Sequence, residues 1–92
     1  MSNRPWQLVA ASSARRDIQS LPEKYAAAVL ELPPIIAANP RRLGKPLRFE
    51  YEGRWSARRG PYRIIYSIDE AARTVTILAV GHRADIYRGF RL

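Results

Sequence analysis

Apolar and polar residues alternate most clearly between Tyr51 and Ile68, in YEGRWSARRGPYRIIYSI. From Tyr62 onward the alternation sets Tyr62, Ile64, Tyr66 and Ile68 on one face and Arg63, Ile65 and Ser67 on the other, which is the period of a strand. Gly60-Pro61 supplies a turn and Trp55–Arg59 a strand before it, so the stretch predicts a β-hairpin. Arg54, Arg58 and Arg59 precede that turn and Arg63 follows it. A guanidinium that interrupts such an apolar run must meet water, a buried partner or a ligand, because an unpaired charge is costly to bury.

The pattern on either side predicts the remaining elements. Trp6–Ala10 alternates and reads as a first strand. Ser12 or Ser13 can cap a helix from about Ala14, with Ala14, Ile18 and Leu21 inward, Arg15, Arg16 and Gln19 outward, and Asp17 near the positive end of the dipole. Pro22 opens a second helix whose buried stripe is Ala26, Val29, Leu30 and Pro33. Pro33-Pro34 cannot continue it, which predicts a stop near Leu32 and a short restart through Ile35, Ile36 and Ala37. Residues 39–46 form a loop, Leu47–Tyr51 a strand, Asp69–Ala72 a loop and Thr74–Val80 a β-branched last strand. This order predicts an α+β fold: two N-terminal helices packed on one face of a mostly antiparallel, twisted sheet of four to five strands, in one domain over residues 1–92.

Charge adds direction. The chain carries sixteen Lys+Arg against eight Asp+Glu, a net charge of +8. Residues 41–63 hold eight of the cations and two of the anions, so six of the eight net charges fall in a quarter of the chain. Such concentration points to a polyanionic partner, nucleic acid first. Arginine suits phosphate better than lysine because its planar fork donates two hydrogen bonds at once. The absence of cysteine removes disulfides and thiol catalysis, and with a single histidine argues against a zinc site. No apolar run spans a membrane and the N-terminus lacks a secretory pattern, so the expectation is a cytoplasmic protein without a membrane partner, metal or cofactor.

Four stretches resemble one known group of proteins: SARRDIQSL (Ser13–Leu21), RLGKPL (Arg42–Leu47), GRWSARRGPYRIIY (Gly53–Tyr66) and VGHRADIYR (Val80–Arg88). Their order and spacing resemble the RelE/ParE superfamily of type II toxins, on its RelE branch and in forms typical of mycobacteria and other actinobacteria. The resemblance implies a microbial RNase-like fold and cleavage of mRNA in the ribosomal A site. It also implies a RelB-like antitoxin, with operator DNA contacted only through the toxin–antitoxin complex. By position, Arg54 falls where the group has a basic residue proposed as general base. Arg63 matches the arginine that contacts the scissile phosphate, Arg83 an acid or charge stabiliser, and Tyr87 a tyrosine that stacks on a base and assists the reaction. Lys45, Arg48, Ser56, Arg58, Arg59 and His82 are the expected RNA contacts. Ser56 stands where some members have a second lysine, and Lys45 where a related branch has a glutamate base.

RNA cleavage without a metal needs an activated 2′-OH, a stabilised anionic phosphorane and a proton for the departing 5′ oxygen. Fixed guanidinium groups suit the second task. They suit proton transfer poorly, with a pKa of about 12.5–13.8. Tyr87, His82, Lys45 and Arg54 are the candidates for that work. Arg63 and Arg83 also have a structural alternative, an ion pair with Asp69 or Asp85. Two other functions share these features: a ParE-like toxin that inhibits DNA gyrase, and a non-catalytic or attenuated basic module that binds nucleic acid.

Overall fold

The computed structural model describes residues 5–89. Its elements run β1 (Gln7–Ala10), α1 (Ser12–Ser20), α2 (Glu23–Val29), α3 (Leu32–Ala38), β2 (Lys45–Pro46), a 3-10 turn (Phe49–Tyr51), β3 (Arg54–Arg59), β4 (Tyr62–Asp69), β5 (Thr74–His82) and α4 (Ile86–Gly89). The five strands form one sheet in the order β1-β5-β4-β3-β2. All neighbours are antiparallel except β1, which runs parallel to β5 from Gln7 opposite Thr74 to Ala10 opposite Ile77. The expected α+β architecture is therefore present, with the second helical arm broken where Pro33 and Pro34 enter the first turn of α3. Among the described residues, no helix is long and apolar enough to cross a membrane.

One face of the sheet carries the main core. Ile64 and Tyr66 of β4 and Val75, Ile77 and Val80 of β5 pack against Ala14 of α1, Val29 of α2, and Leu32 and Ile36 of α3. The opposite face carries a smaller cluster, in which Ile65, Ala79 and Ile86 are joined by Leu47, Leu78 and Tyr87. Strict alternation along β5 would send Ala79 to the helices and Val80 away. Instead the register shifts at Leu78: Ile65 opposes Ala79 while Tyr66 opposes Ile77. The extra residue is a β-bulge, and it reverses the facing of everything after it.

Strand β5 also outruns β1. Past Ile77 its edge has no strand beside it, and α1 takes over. Ser13 donates its Oγ–H to the Leu78 carbonyl at 2.8 Å, and Asp17 accepts the Val80 N–H through Oδ2 at 2.9 Å. Ser13 and Asp17, one helical turn apart, thus satisfy backbone groups that a strand would otherwise pair. The expected cap is absent: α1 begins at Ser12, so both serines lie inside its first turn, Ala11 takes the cap position without a side-chain bond, and Ser13 bonds β5 instead.

Two other expectations differ. The strand expected over Leu47–Tyr51 is absent: the two-residue β2 lies earlier, at the end of the expected 39–46 loop, and Phe49–Tyr51 forms the 3-10 turn. Phe49 there takes φ 59, a left-handed backbone that no strand accommodates, and its ring is exposed. Leu30 is exposed, whereas Val29 and Pro33 are buried, because the helix ends at Leu30 and restarts in a new direction.

Tyr66 ties the 39–46 loop to the sheet. Its ring is fully buried and its hydroxyl donates to the Pro40 carbonyl at 2.8 Å. Burial pushes the phenol above its ordinary value of 10.0, and the Gly44 N–H, donating to the phenol oxygen, pulls it partway back. A raised pKa in the folded state gives stability that is present below pH 10 and lost as pH rises through the folded value. Tyr66→Phe strands the Pro40 carbonyl and is expected to cost about 1–3 kcal/mol near neutrality. Urea midpoints should show that deficit shrinking above about pH 10, as wild type alone loses the Tyr66 contribution.

Gly44 is needed for the same contact. A Cβ at this position would collide with the Tyr66 hydroxyl and come within 2.9 Å of the Ser56 carbonyl. Gly44→Ala is therefore expected to destabilise by about 1–3 kcal/mol through overpacking. In a domain of this size each kcal/mol lowers the melting temperature by about 4–8 °C, which a thermal melt will register.

Candidate nucleic-acid interface

Strand register decides which arginines share a surface. Arg54 pairs with Ser67, Ser56 with Ile65 and Arg58 with Arg63 across β3 and β4, while Lys45 of β2 pairs with Ser56. Because Ile65 belongs to the smaller cluster, Lys45, Arg54, Ser56, Arg58 and Arg63 all project from the face opposite the main helices. Arg63 is half-buried and lies between Arg58 on β3 and Gly81 on β5. Like charges directly opposite each other destabilise a sheet, so the Arg58–Arg63 pair costs folding energy in the free protein.

The segment after β5 borders this face. Arg83 is exposed and donates its backbone N–H to the Pro61 carbonyl at 2.8 Å, which fixes it beside the β3–β4 turn. Ile86 then packs back onto the sheet at Gly81, where an added Cβ would stand 3.2 Å from its Cδ1. Tyr87 follows, half-buried, with its ring 5.3 Å from that of Tyr51 in the 3-10 turn. Arg48 is exposed just before that turn.

A cleft of about 490 Å³ opens between α1 and α4 at the β5 edge. Ser13, Arg16, Asp17, Arg54, Asp85 and Ile86 line it together with residues 78–81 of β5. Arg54 is the catalytic candidate found there, and its Nε is buried without a hydrogen-bond partner among the described residues. Arg16 is a member the pattern of α1 did not suggest. Its neighbour Asp17 anchors the helix to the bulged edge, so Arg16 is carried to the cleft mouth rather than away from it.

Two expected RNA contacts lie elsewhere. Arg59 pairs with Tyr62 on the helix-bearing side and forms an ion pair with Glu31. His82 also pairs with Tyr62 on that side, and its Nδ1 accepts the Ala84 N–H at 3.0 Å. The structural alternative for Arg63 and Arg83 finds no support at Asp69, whose carboxylate accepts the Ala72 N–H at 3.0 Å. Ion pairs among the described residues join Arg41 to Glu70 and Arg59 to Glu31. Both of those cations lie away from the open face, and Arg54, Arg58 and Arg63 on it form no ion pair with a described residue.

Comparison with known proteins agrees with this architecture. Residues 8–87 match the family described as ParE toxin of type II toxin-antitoxin system, parDE. Toxin RelG of Mycobacterium tuberculosis is 49% identical over 85 residues, covering 91% of this chain and 98% of the relative. Toxin RelE of the same organism is 46% identical over 86 residues, covering 91% and 88%. A chain in the crystal structure of the M. tuberculosis RelBE2 toxin-antitoxin complex superposes with a TM-score of 0.81 at 46% identity, covering 91% of this chain and 98% of that one. In the intact E. coli RelBE complex the likeness is of fold alone, with a TM-score of 0.72 at 16% identity over 84% and 95%. The chain belongs to the RelE/ParE superfamily of toxins of type II toxin–antitoxin systems.

Proposed function

We propose that this toxin is an endoribonuclease that cleaves mRNA in the ribosomal A site and so arrests translation. The observation that carries the reading is the open sheet face, from which Arg54, Arg58 and Arg63 project without an ion pair to any described residue, at the cost of a like-charge cross-strand contact. A polyanion removes that cost on binding. In the mechanism, Arg63 and Arg83 hold the scissile phosphate and offset the charge of the phosphorane formed when the 2′-OH attacks. Tyr87 stacks on a base and assists proton transfer. Arg54, from the cleft beside α4, stands at the general-base position; as a guanidinium it donates N–H hydrogen bonds that lower the cost of ionising the 2′-OH, whose proton passes to water. Lys45, Arg48, Ser56 and Arg58 guide the chain on either side. No metal or cofactor enters this scheme.

A RelB-like antitoxin covers the same surface in the resting cell, an inference supported by the M. tuberculosis relative solved as a toxin–antitoxin complex. A face this basic binds RNA indiscriminately unless masked, and a segment that folds on binding masks it. Operator DNA is reached through that complex alone. A second reading is a ParE-like toxin, in keeping with the description of the matching family as ParE toxin, acting by inhibition of DNA gyrase rather than on RNA.

Inducible expression of wild type beside Arg83→Ala separates the two. Under the nuclease reading, wild type halts protein synthesis and new mRNA ends map to the A site of translating ribosomes, and Arg83→Ala sharply reduces both. Supercoiling defects and DNA damage with intact messages would overturn it in favour of gyrase.

A further inference from the structure

We propose that His82 is a positioning residue for Arg83, resting on the reading that Arg83 contacts the scissile phosphate. Strand β5 ends at His82, and the turn that follows is held by three hydrogen bonds. The Asp85 N–H donates to the His82 carbonyl at 2.9 Å, the Ala84 N–H donates to His82 Nδ1 at 3.0 Å, and the Arg83 N–H donates to the Pro61 carbonyl at 2.8 Å. Arg83 is therefore pinned directly to the β3–β4 turn, and through its successor to the imidazole.

The imidazole is itself held. Its ring meets Tyr62 edge-on, with centroids 5.7 Å apart and planes at 83°, and Tyr62 lies 5.1 Å from Tyr25 of α2. These contacts sit on the helix-bearing side of the sheet, so the ring is turned away from the arginine face while its nitrogen fixes the backbone that presents Arg83. An Nδ1 that accepts a hydrogen bond is unprotonated, which assigns the ring proton to Nε2. The ring thus contributes an acceptor and a rigid mount rather than a phosphate contact. Misplacing a positioned group by about 1 Å can slow a reaction about 100-fold, so the turn geometry matters to the chemistry.

Two substitutions separate the acceptor from the ring. His82→Phe keeps the aromatic packing and removes the acceptor. His82→Asn removes the ring and restores an oxygen that can accept the N–H two residues on, as asparagine does in turns. Single-turnover cleavage of mRNA in the A site of programmed ribosomes is measured for both, alone and combined with Arg83→Ala. The expected result is that H82F slows the saturated rate roughly tenfold to a hundredfold with half-saturating toxin concentration unchanged, and that H82N restores most of the rate. With Arg83 already replaced, H82F should add nothing, the signature of residues acting as one unit. Wild-type rates in H82F, equal loss in H82N, or an additive effect beside a damaging Arg83→Ala would overturn the positioning role alone. Full activity of Arg83→Ala by itself would overturn both that role and the nuclease assignment of Arg83.

Discussion

Replacing Arg63 with alanine is expected to slow A-site cleavage by about 100- to 1,000-fold, the usual cost of deleting one preorganised donor to a developing oxyanion. Arg63 sits at the centre of the arginine face, flanked by Arg58 and by Gly81, which contributes no side chain to crowd it. A guanidinium mounted on a central strand needs no reorganisation as charge builds on the phosphate, and so it favours the transition state over the bound ground state. Arg63→Lys keeps a charge but loses the two-pronged fork, and should recover only part of the rate.

The same variant separates catalysis from folding. Arg63→Ala relieves the like-charge contact with Arg58, so its melting temperature should equal or slightly exceed that of wild type. A variant that lost activity because it lost structure would melt lower. Loss of cleavage with unchanged or improved melting supports the phosphate role. Cleavage at the wild-type rate in a stably folded variant would remove Arg63 from the reaction.

The hairpin at the centre of the fold is legible in the sequence because its signal is local. The facing of Tyr62, Ile64, Tyr66 and Ile68 against Arg63, Ile65 and Ser67 needs only the two-residue period, and the register bears it out. The position of Arg59 was readable too. A two-residue turn at Gly60-Pro61 places Arg59 opposite Tyr62, hence on the core side, where Glu31 meets it. His82 was not readable. Alternation counted forward from Val75 sends it to the arginine face, and only the bulge at Leu78 reverses that count. The roles of Ser13 and Asp17 depend on β5 outrunning β1, a relation between segments more than sixty residues apart. A helix dipole or a cap explains an early serine or aspartate from sequence just as well. The cleft at Arg16 follows from that same edge. Local pattern therefore revealed the arginine face, while long-range pairing decided what borders it and which side chains are merely its supports.

Those supports bear on the largest effect expected. With His82 turned to the helix side and accepting a backbone N–H, the arginine face has no imidazole to shuttle protons. What remains there is guanidinium groups, Lys45 and Tyr87, residue types whose ordinary pKa values of about 10 and above lie far from neutrality. General acid–base catalysis contributes typically about 100- to 10,000-fold when the pKa is well matched, and this site forgoes much of it. Holding the reacting atoms in line can supply more, with effective molarities of about 10⁵–10⁸ M for well-oriented groups. The toxin is small and its face is open, so the orientation must come from whatever presents the message. The same mRNA is therefore expected to be cleaved at least about 1,000-fold faster in the ribosomal A site than free in solution, when single-turnover rates are compared at saturating toxin. Salt should weaken binding of the free RNA steeply, since phosphate contacts dominate it, without closing the gap in saturated rates. Comparable rates on naked and ribosome-held message would mean that the protein itself aligns the 2′-OH with its phosphate, and would require a proton-transfer group on this face better matched to neutrality than Lys45, Arg54, Arg63, Arg83 and Tyr87.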